Sequence, residues 1–225
     1  MRSIPTLIIG SKNYSSWSLR PWLLLRQFGV EFHEVKLPLD TPEFYARIRD
    51  YSPSGRVPVL HDGELRVWDS LAIAEYANER FLDGRGWPAH IAARAQARAI
   101  SAEMHSGFAA LRRELPMNCR KRMRADSISV DAMSADAAHD IARVKAIWRQ
   151  ARERHAGEGA FLFGAFGIAD AMYAPVVLRF ISYDVALDPL ERSYVDTIAA
   201  LPALREWLAE TTTEPLSPSH EQMTP

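Results

Sequence analysis

Residues 6–28, TLIIGSKNYSSWSLRPWLLLRQF, pass from a short apolar run through a polar turn into a helical pattern. Leu7 to Ile9 read as a strand and the helix opens near Ser16 to Ser18. Pro21 suits the first turn, where a missing N–H forfeits no partner. A strand handing over to a helix leaves free backbone amides at the helix mouth, here beside Tyr14, Ser15, Ser16 and Ser18. Such a mouth favours an anion. An ordinary cap by Ser16 or Ser18 is the competing reading, and the rest of the chain decides whether a site can be completed around it.

Gly29 follows where a left-handed helix end belongs, and Glu31 to Leu37 reads as a second strand. A right-handed strand–helix–strand crossover makes the two strands parallel neighbours. Thr41-Pro42-Glu43 then opens a short helix reaching about Arg49. The stretch 51–70, YSPSGRVPVLHDGELRVWDS, holds two β-rich runs, Val57 to Leu60 and Glu64 to Val67, around the turn signal Asp62-Gly63. Pro58 forfeits a ladder hydrogen bond, so either its strand is exposed there or the Val57–Pro58 bond is cis. Both cases leave Val57 backbone groups for an extended ligand to pair with. Asp69-Ser70 precedes the helical run LAIAEYANERF. Those two residues read as a cap or, by the same physics, as a holder for the carboxylate and ammonium of an amino-acid head group.

LDGRGWP, residues 82–88, marks a domain boundary by its glycines and proline. Beyond it the Ala, Arg and Glu spacing predicts helices over 89–114, 134–155, 167–183, 189–201 and 202–211, with a loose tail after Glu214. Met104, His105, Phe108 and Met117 group near the end of the first of these, at a spacing that suits core packing.

The whole chain has 225 residues, 48% of them hydrophobic, which suffices for a core without staples. A formal net charge of -1 gives no bulk electrostatic case for nucleic acid. Apolar runs such as WLLL fall far short of the ~20 residues a bilayer span needs, and no signal-peptide core is visible, so a soluble cytoplasmic protein without membrane contact is expected. Cys119 is the single cysteine, which excludes an internal disulfide and any CxxC motif, and the seven histidines show no ligand spacing, so no metal is expected.

The order β-α-β-α-β-β-α, the hydroxyl-rich first helix mouth, SGRVP before a hairpin and DS at the next helix together resemble the N-terminal domain of cytosolic glutathione transferases. YSSWSLRPWLLL is most similar to the zeta-type serine pattern. Trp17 stands where zeta and beta types usually carry cysteine. GAFGIADAMYAP, residues 164–175, is similar to the segment that caps the central helix of the family's second domain, with Gly167 in place of the usual Ser or Thr and Asp170 matching the acidic position. A structural, loop-bonding role for Asp170 is expected.

The resemblance implies an α/β thioredoxin-like domain over 1–82 that binds glutathione, followed by an all-α domain over 88–225 that carries the electrophile pocket. It also implies a homodimer. Ser15 is the implied thiol activator, with Ser16 as substitute. Trp17, Lys36, Arg56, Val57, Pro58, Asp69 and Ser70 are implied to hold glutathione: Val57 at the cysteinyl unit, Asp69 and Ser70 at the γ-glutamyl head, Arg56 and Lys36 at the glycyl carboxylate. Met104, His105 and Phe108 are implied to line the electrophile pocket. Thiolate attack on a hydrophobic electrophile, as in detoxification, is the implied reaction. A cis-trans isomerase of the maleylacetoacetate type and a noncatalytic glutathione-binding module stand beside it.

Overall fold

The computed structural model describes residues 4–122 and 133–222. The chain runs β1 (Thr6–Gly10), α1 (Ser16–Gln27), β2 (His33–Leu37), α2 (Pro42–Tyr51), β3 (Val59–Asp62), β4 (Leu65–Trp68) and α3 (Ser70–Arg80). These form a four-stranded sheet in the order β2-β1-β3-β4, with β1 and β2 parallel and the pairs β1–β3 and β3–β4 antiparallel. This is the thioredoxin-like arrangement expected. Seven helices follow among the described residues: α4 (Ile91–Ser106), α5 (Ala109–Glu114), α6 (Ala135–Arg154), α7 (Ile168–Ser182), α8 (Pro189–Ala199), α9 (Pro202–Thr211) and α10 (Pro218–Gln222).

The period of two along β1 sorts its side chains onto two cores. Leu7 and Ile9 face the larger one, shared with α1, α3 and the helical half, whereas Ile8 joins Leu37, Phe44, Ile48 and Val59 beneath α2. Helix α7 is buried along nearly its whole length and packs against both α1 and α4. Burying α1 on α7 fixes the first helix mouth relative to the second half of the molecule.

Three expectations are revised. The helix predicted over 89–114 is two helices, because the chain breaks at Gly107 and Phe108, where Phe108 takes φ 60°. A Cβ at Gly107 would stand 2.8 Å from the Glu103 carbonyl oxygen, so the turn requires glycine there. The hairpin begins at Val59, after the cis Val57–Pro58 bond. The tail after Glu214 is ordered through α10: Tyr14 donates to Glu221 Oε1 at 2.6 Å, Ser217 N donates to Tyr14 Oη at 3.2 Å, and His220 stacks on the Tyr14 ring. The last three residues of that tail lie outside the described residues.

Candidate active site

A cleft of about 360 Å³ opens where the hairpin, the α3 mouth, α1 and the end of α4 meet. Its lining comprises Ser54, Arg56, Val57 and Pro58 from the segment before β3, Trp68, Asp69 and Ser70 at the β4–α3 junction, Trp17 from α1, and His105 from α4. Volumes of about 300–1,000 Å³ are usual for small-molecule sites. Side chains from four separate segments therefore converge on one space of ligand size.

The β4–α3 junction is built under strain. Asp69 sits at φ 69°, ψ 147°, a conformation nearly reserved for glycine that costs on the order of 1–3 kcal/mol in other residues. Its Oδ1 accepts from Leu71 N at 2.8 Å and from Ala72 N at 3.4 Å, which caps α3 and helps hold the residue in place. Its Oδ2 lies 3.2 Å from His105 Nε2, so the carboxylate ties the α3 mouth to α4 while keeping its outer face toward the cleft. Ser70, the first helical residue, is buried beside it.

Behind this wall the charge is positive. Two guanidinium groups lie over the Trp17 ring, Arg20 at 4.3 Å and Arg112 at 4.8 Å from its centroid, and His105 meets the ring edge-on. Arg112 donates through Nε to the Gly107 carbonyl at 3.0 Å and through Nη2 to the Met104 carbonyl. Burial pushes the basicity of Arg20 well below the ordinary arginine value; neighbouring Arg112 and Arg179 add to the push and Asp69 opposes it. Burial likewise lowers His105, with Asp69 pulling up and Arg20 and Arg112 pressing down. The shift favours the neutral imidazole beside Asp69.

The His105 shift fixes a sign. A histidine whose folded value is depressed leaves the unfolded chain with more bound protons near its ordinary pKa, so stability rises with pH through that window. Stability supplied by His105 is present above about 6.5 and is lost as the pH falls through the lower folded value. We expect the His105 Cε1 proton to titrate with a midpoint below that of a free histidine by NMR. A midpoint at or above it would contradict the geometry described.

Of the residues expected at the site, Trp17, Arg56, Val57, Pro58, Asp69, Ser70 and His105 share this cleft; the others do not. Ser15 caps α1: its hydroxyl donates to Ser18 Oγ at 2.7 Å and accepts from Ser18 N at 3.4 Å, while Ser18 Oγ also accepts from Gly10 N. Neither Ser15 nor Ser16 is among the lining residues. Lys36 faces a separate cavity of about 480 Å³ beneath the tail, where its ammonium pairs with Glu214 at 3.0 Å. Met104 and Phe108 pack into the main core. Arg20 and Arg112 were not anticipated, although Arg20 stands three residues from Trp17, a spacing that puts both on one helix face.

The glutathione S-transferase N-terminal domain model matches residues 14–80 and the corresponding C-terminal domain model matches residues 92–210. A dichloromethane dehalogenase of Methylorubrum extorquens is 61% identical over 62 residues, a stretch covering 27% of this chain and 21% of that protein. The chain therefore aligns with only about a fifth of that relative's length. A glutathione transferase homolog from Burkholderia, solved with bound glutathione, superposes with a TM-score of 0.69 at 21% identity, covering 94% of this chain and all of that one. A glutathione S-transferase from the Antarctic clam Laternula elliptica gives 0.72 at 20% identity, covering 94% and 95% of the two chains. Such identities speak to fold, whereas the C-terminal domain match alone spans more than half of the chain, and on that ground the chain belongs to the glutathione S-transferase family.

Proposed function

We propose that the protein is a glutathione transferase, with residues 1–82 holding the tripeptide at this cleft and the helical residues 88–225 supplying the electrophile pocket. The observation that carries this reading is the convergence of Arg56, Val57, Asp69, Ser70 and Trp17 on one cleft. Val57 lies outside the strands, where its backbone can pair with an extended cysteinyl unit. Asp69 meets the γ-glutamyl ammonium, Ser70 its carboxylate, and Arg56 the glycyl carboxylate.

The reaction needs the thiolate, and an ordinary thiol with a pKa of about 8.5 is mostly protonated at neutral pH. Each unit of depression requires about 1.4 kcal/mol of preference for the anion. The α1 mouth supplies about 0.3–1 kcal/mol, and a hydrogen bond to a charged group about 1.5–3. Ser15 would have to exchange its bond to Ser18 to be that donor, so the positive side chains around Trp17 take a larger share than a serine hydroxyl alone. Similarity to a dichloromethane dehalogenase makes small alkyl halides the first electrophiles to try. Sulfur bonds to carbon as the carbon–halogen bond breaks, and the halide leaves with the electron pair.

A glutathione-dependent cis-trans isomerisation of a dicarboxylic substrate is the second reading. The guanidinium groups of Arg20 and Arg112, packed on the cleft-lining Trp17 ring, favour it, because such a substrate must bring its own anions. Exposed Leu65 and Trp68 on the edge strand β4 suit burial against a second copy of the chain.

The test is calorimetric titration with glutathione, followed by product analysis with a panel of dichloromethane, an aryl halide and a maleyl dicarboxylate. Binding with conjugate formation supports the transferase, and isomerised maleyl product the second reading. Binding with no turnover leaves a glutathione-binding module, and no binding removes all three. Asp69→Asn sharpens the result. Asparagine caps helices as well as aspartate and tolerates a positive φ, so the fold should survive. Loss of the carboxylate should weaken glutathione about tenfold or more. Unchanged affinity would remove Asp69 from the head-group site.

A further inference from the structure

The cavity of about 480 Å³ beneath the tail has no part in the proposed reaction, and it shares no lining residue with the cleft. It sits outside the carboxyl ends of the two parallel strands, since Ser11 follows β1 and Pro38 follows β2, and that end of an open α/β sheet is where ligands usually bind. Its volume falls in the range of small-molecule sites. The apolar walls are Pro38 and Leu39 on one side and Pro215, Leu216 and Pro218 on the other.

Both walls are fixed by contacts of their own. Leu39 N donates to Ser11 Oγ at 3.1 Å, and the Leu39 side chain fills the space beside Gly10, where a Cβ would stand 2.7 Å from Leu39 Cδ2. The tail is pinned on either side of Pro215 and Leu216, by Glu214 accepting from Lys12 N and Asn13 N and by Ser217 N donating to Tyr14 Oη. Three prolines fix φ in these walls, so little freedom is left to lose on binding. The polar groups of the lining are turned to one another. Lys36 pairs with Glu214 at 3.0 Å, Asp40 Oδ1 accepts from Tyr45 Oη at 3.2 Å, and Asp40 Oδ2 lies 3.4 Å from His220 Nδ1. Thr41 Oγ1 donates to Pro38 O and accepts from Phe44 N, while Ser217 Oγ bonds with Ser219 Oγ and His220 Nδ1. An ion entering here would give up water and meet charges already paired, whereas an apolar molecule gains from leaving water. Leu216, 61% exposed, holds at the edge of the cavity an apolar surface that such a molecule would cover.

We infer that this cavity is a second ligand site, taking a neutral, largely apolar molecule of fused-ring size between Leu39 and Leu216. Recognition rests on shape and on burial of carbon surface, and ion pairing has no part in it. The inference is independent of the glutathione reading, because the lining of the cavity and that of the cleft are disjoint. The bound molecule joins the tail to the connection between β2 and α2, and the same tail pins residues 12–14 ahead of the α1 mouth.

The experiment sets two fluorescent probes against three proteins. N-phenyl-1-naphthylamine and 8-anilinonaphthalene-1-sulfonate share one skeleton and differ in a single sulfonate; each is titrated into wild type, Leu216→Asp and Leu216→Met. Wild type should bind the neutral probe, with NOEs from its ring protons to the methyl groups of Leu39 and Leu216. At that place the sulfonate should bind about tenfold more weakly or worse, as expected of a charge desolvated without a partner. Leu216→Asp should weaken the neutral probe about tenfold or more, because a carboxylate then faces apolar carbon. Leu216→Met, which keeps volume and apolarity, should stay within about threefold of wild type. Both variants should melt with the wild type, since residue 216 is largely exposed. Failure of wild type to bind the neutral probe overturns the inference, and so do NOEs confined to methyl groups outside the cavity or unchanged affinity in Leu216→Asp. Equal or tighter binding of the sulfonate with NOEs to Leu39 overturns the assignment to neutral ligands.

Discussion

Replacing Asp170 with alanine is expected to destabilise the protein by at least about 3 kcal/mol, because three donors lose one shared acceptor and each buried unsatisfied group costs about 1–3 kcal/mol. Asp170 Oδ1 accepts from Leu162 N and from Tyr194 Oη, each at 3.1 Å, and Oδ2 accepts from Gly167 N at 3.0 Å. The carboxyl thereby joins the loop before α7, the first turn of α7 and helix α8. Against a total of about 5–15 kcal/mol for a folded domain, this loss is a large fraction. Asp170→Asn should cost less. Its carbonyl can still serve Leu162 and Tyr194, but its NH2 then opposes Gly167 N, so one bond is lost instead of three.

The same residue fixes a pH dependence. Burial pushes the Asp170 carboxyl up to about 6, against hydrogen bonds from Leu162, Gly167 and Tyr194 that pull it down. The folded protein therefore binds a proton that the unfolded chain has released, and stability falls as the pH rises through that window. The contribution is complete below the ordinary carboxylate range and lost above the folded value. Urea midpoints for wild type and Asp170→Asn should thus lie further apart at pH 4 than at pH 7. A gap that widens with pH would reverse the assigned sign, and an Asp170→Ala cost below about 1 kcal/mol would show that the network does not hold the helix start.

Features whose causes are local were legible before any coordinates. Thr41-Pro42-Glu43 opens α2 with Thr41 Oγ1 accepting from Phe44 N, and Ser134 caps α6 by accepting from Ala137 N, as their side-chain chemistry dictates. Asp62-Gly63 turns the hairpin with Gly63 at φ 61°. Asp69 and Ser70 fall at the cleft because the helix mouth that Asp69 caps opens onto it. The failures have distant causes. Nothing near Lys36 announces Glu214, which comes from the tail and pairs with that lysine at a cavity separate from the cleft. The four hydroxyl-bearing residues around the α1 mouth read as an anion site, yet Ser15 and Ser18 bond to each other and Ser18 Oγ accepts from Gly10 N, closing the strand-to-helix turn. The Gly107–Phe108 break escaped because helical spacing continues across it, whereas the backbone there is set by the close approach to Glu103.

That turn is also where the second large effect is expected, since Lys12→Met should destabilise the protein by about 3 kcal/mol, the lower end of the cost of breaking a buried ion pair. Lys12 is fully buried, with its ammonium 2.9 Å from Glu34 Oε2 and 2.7 Å from Glu210 Oε2 and over the rings of Trp22 and Trp207. Both carboxylates lie at ion-pair distance but off the hydrogen-bond directions, so the contacts are ionic in character. The backbone around it is held as firmly: Lys12 N and Asn13 N donate to the two oxygens of Glu214, each at 2.9 Å, and Lys12 O accepts from Trp207 Nε1 at 3.0 Å. Methionine keeps the stem volume and deletes only the charge, which leaves Glu34 and Glu210 facing each other. Both are partly exposed and can recover some hydration, which is why the lower figure applies. Restoring charge balance supplies the control. In the Lys12→Met background, Glu34→Gln with Glu210→Gln should recover part of the loss, a coupling that independent surface substitutions would not show. The prediction reaches function as well, because residues 11–15 set the α1 mouth that presents Trp17 to the cleft. The Met variant should bind glutathione more weakly in proportion to its lost stability, and the triple variant should regain both together. Stability recovered without affinity would separate the clamp from the site.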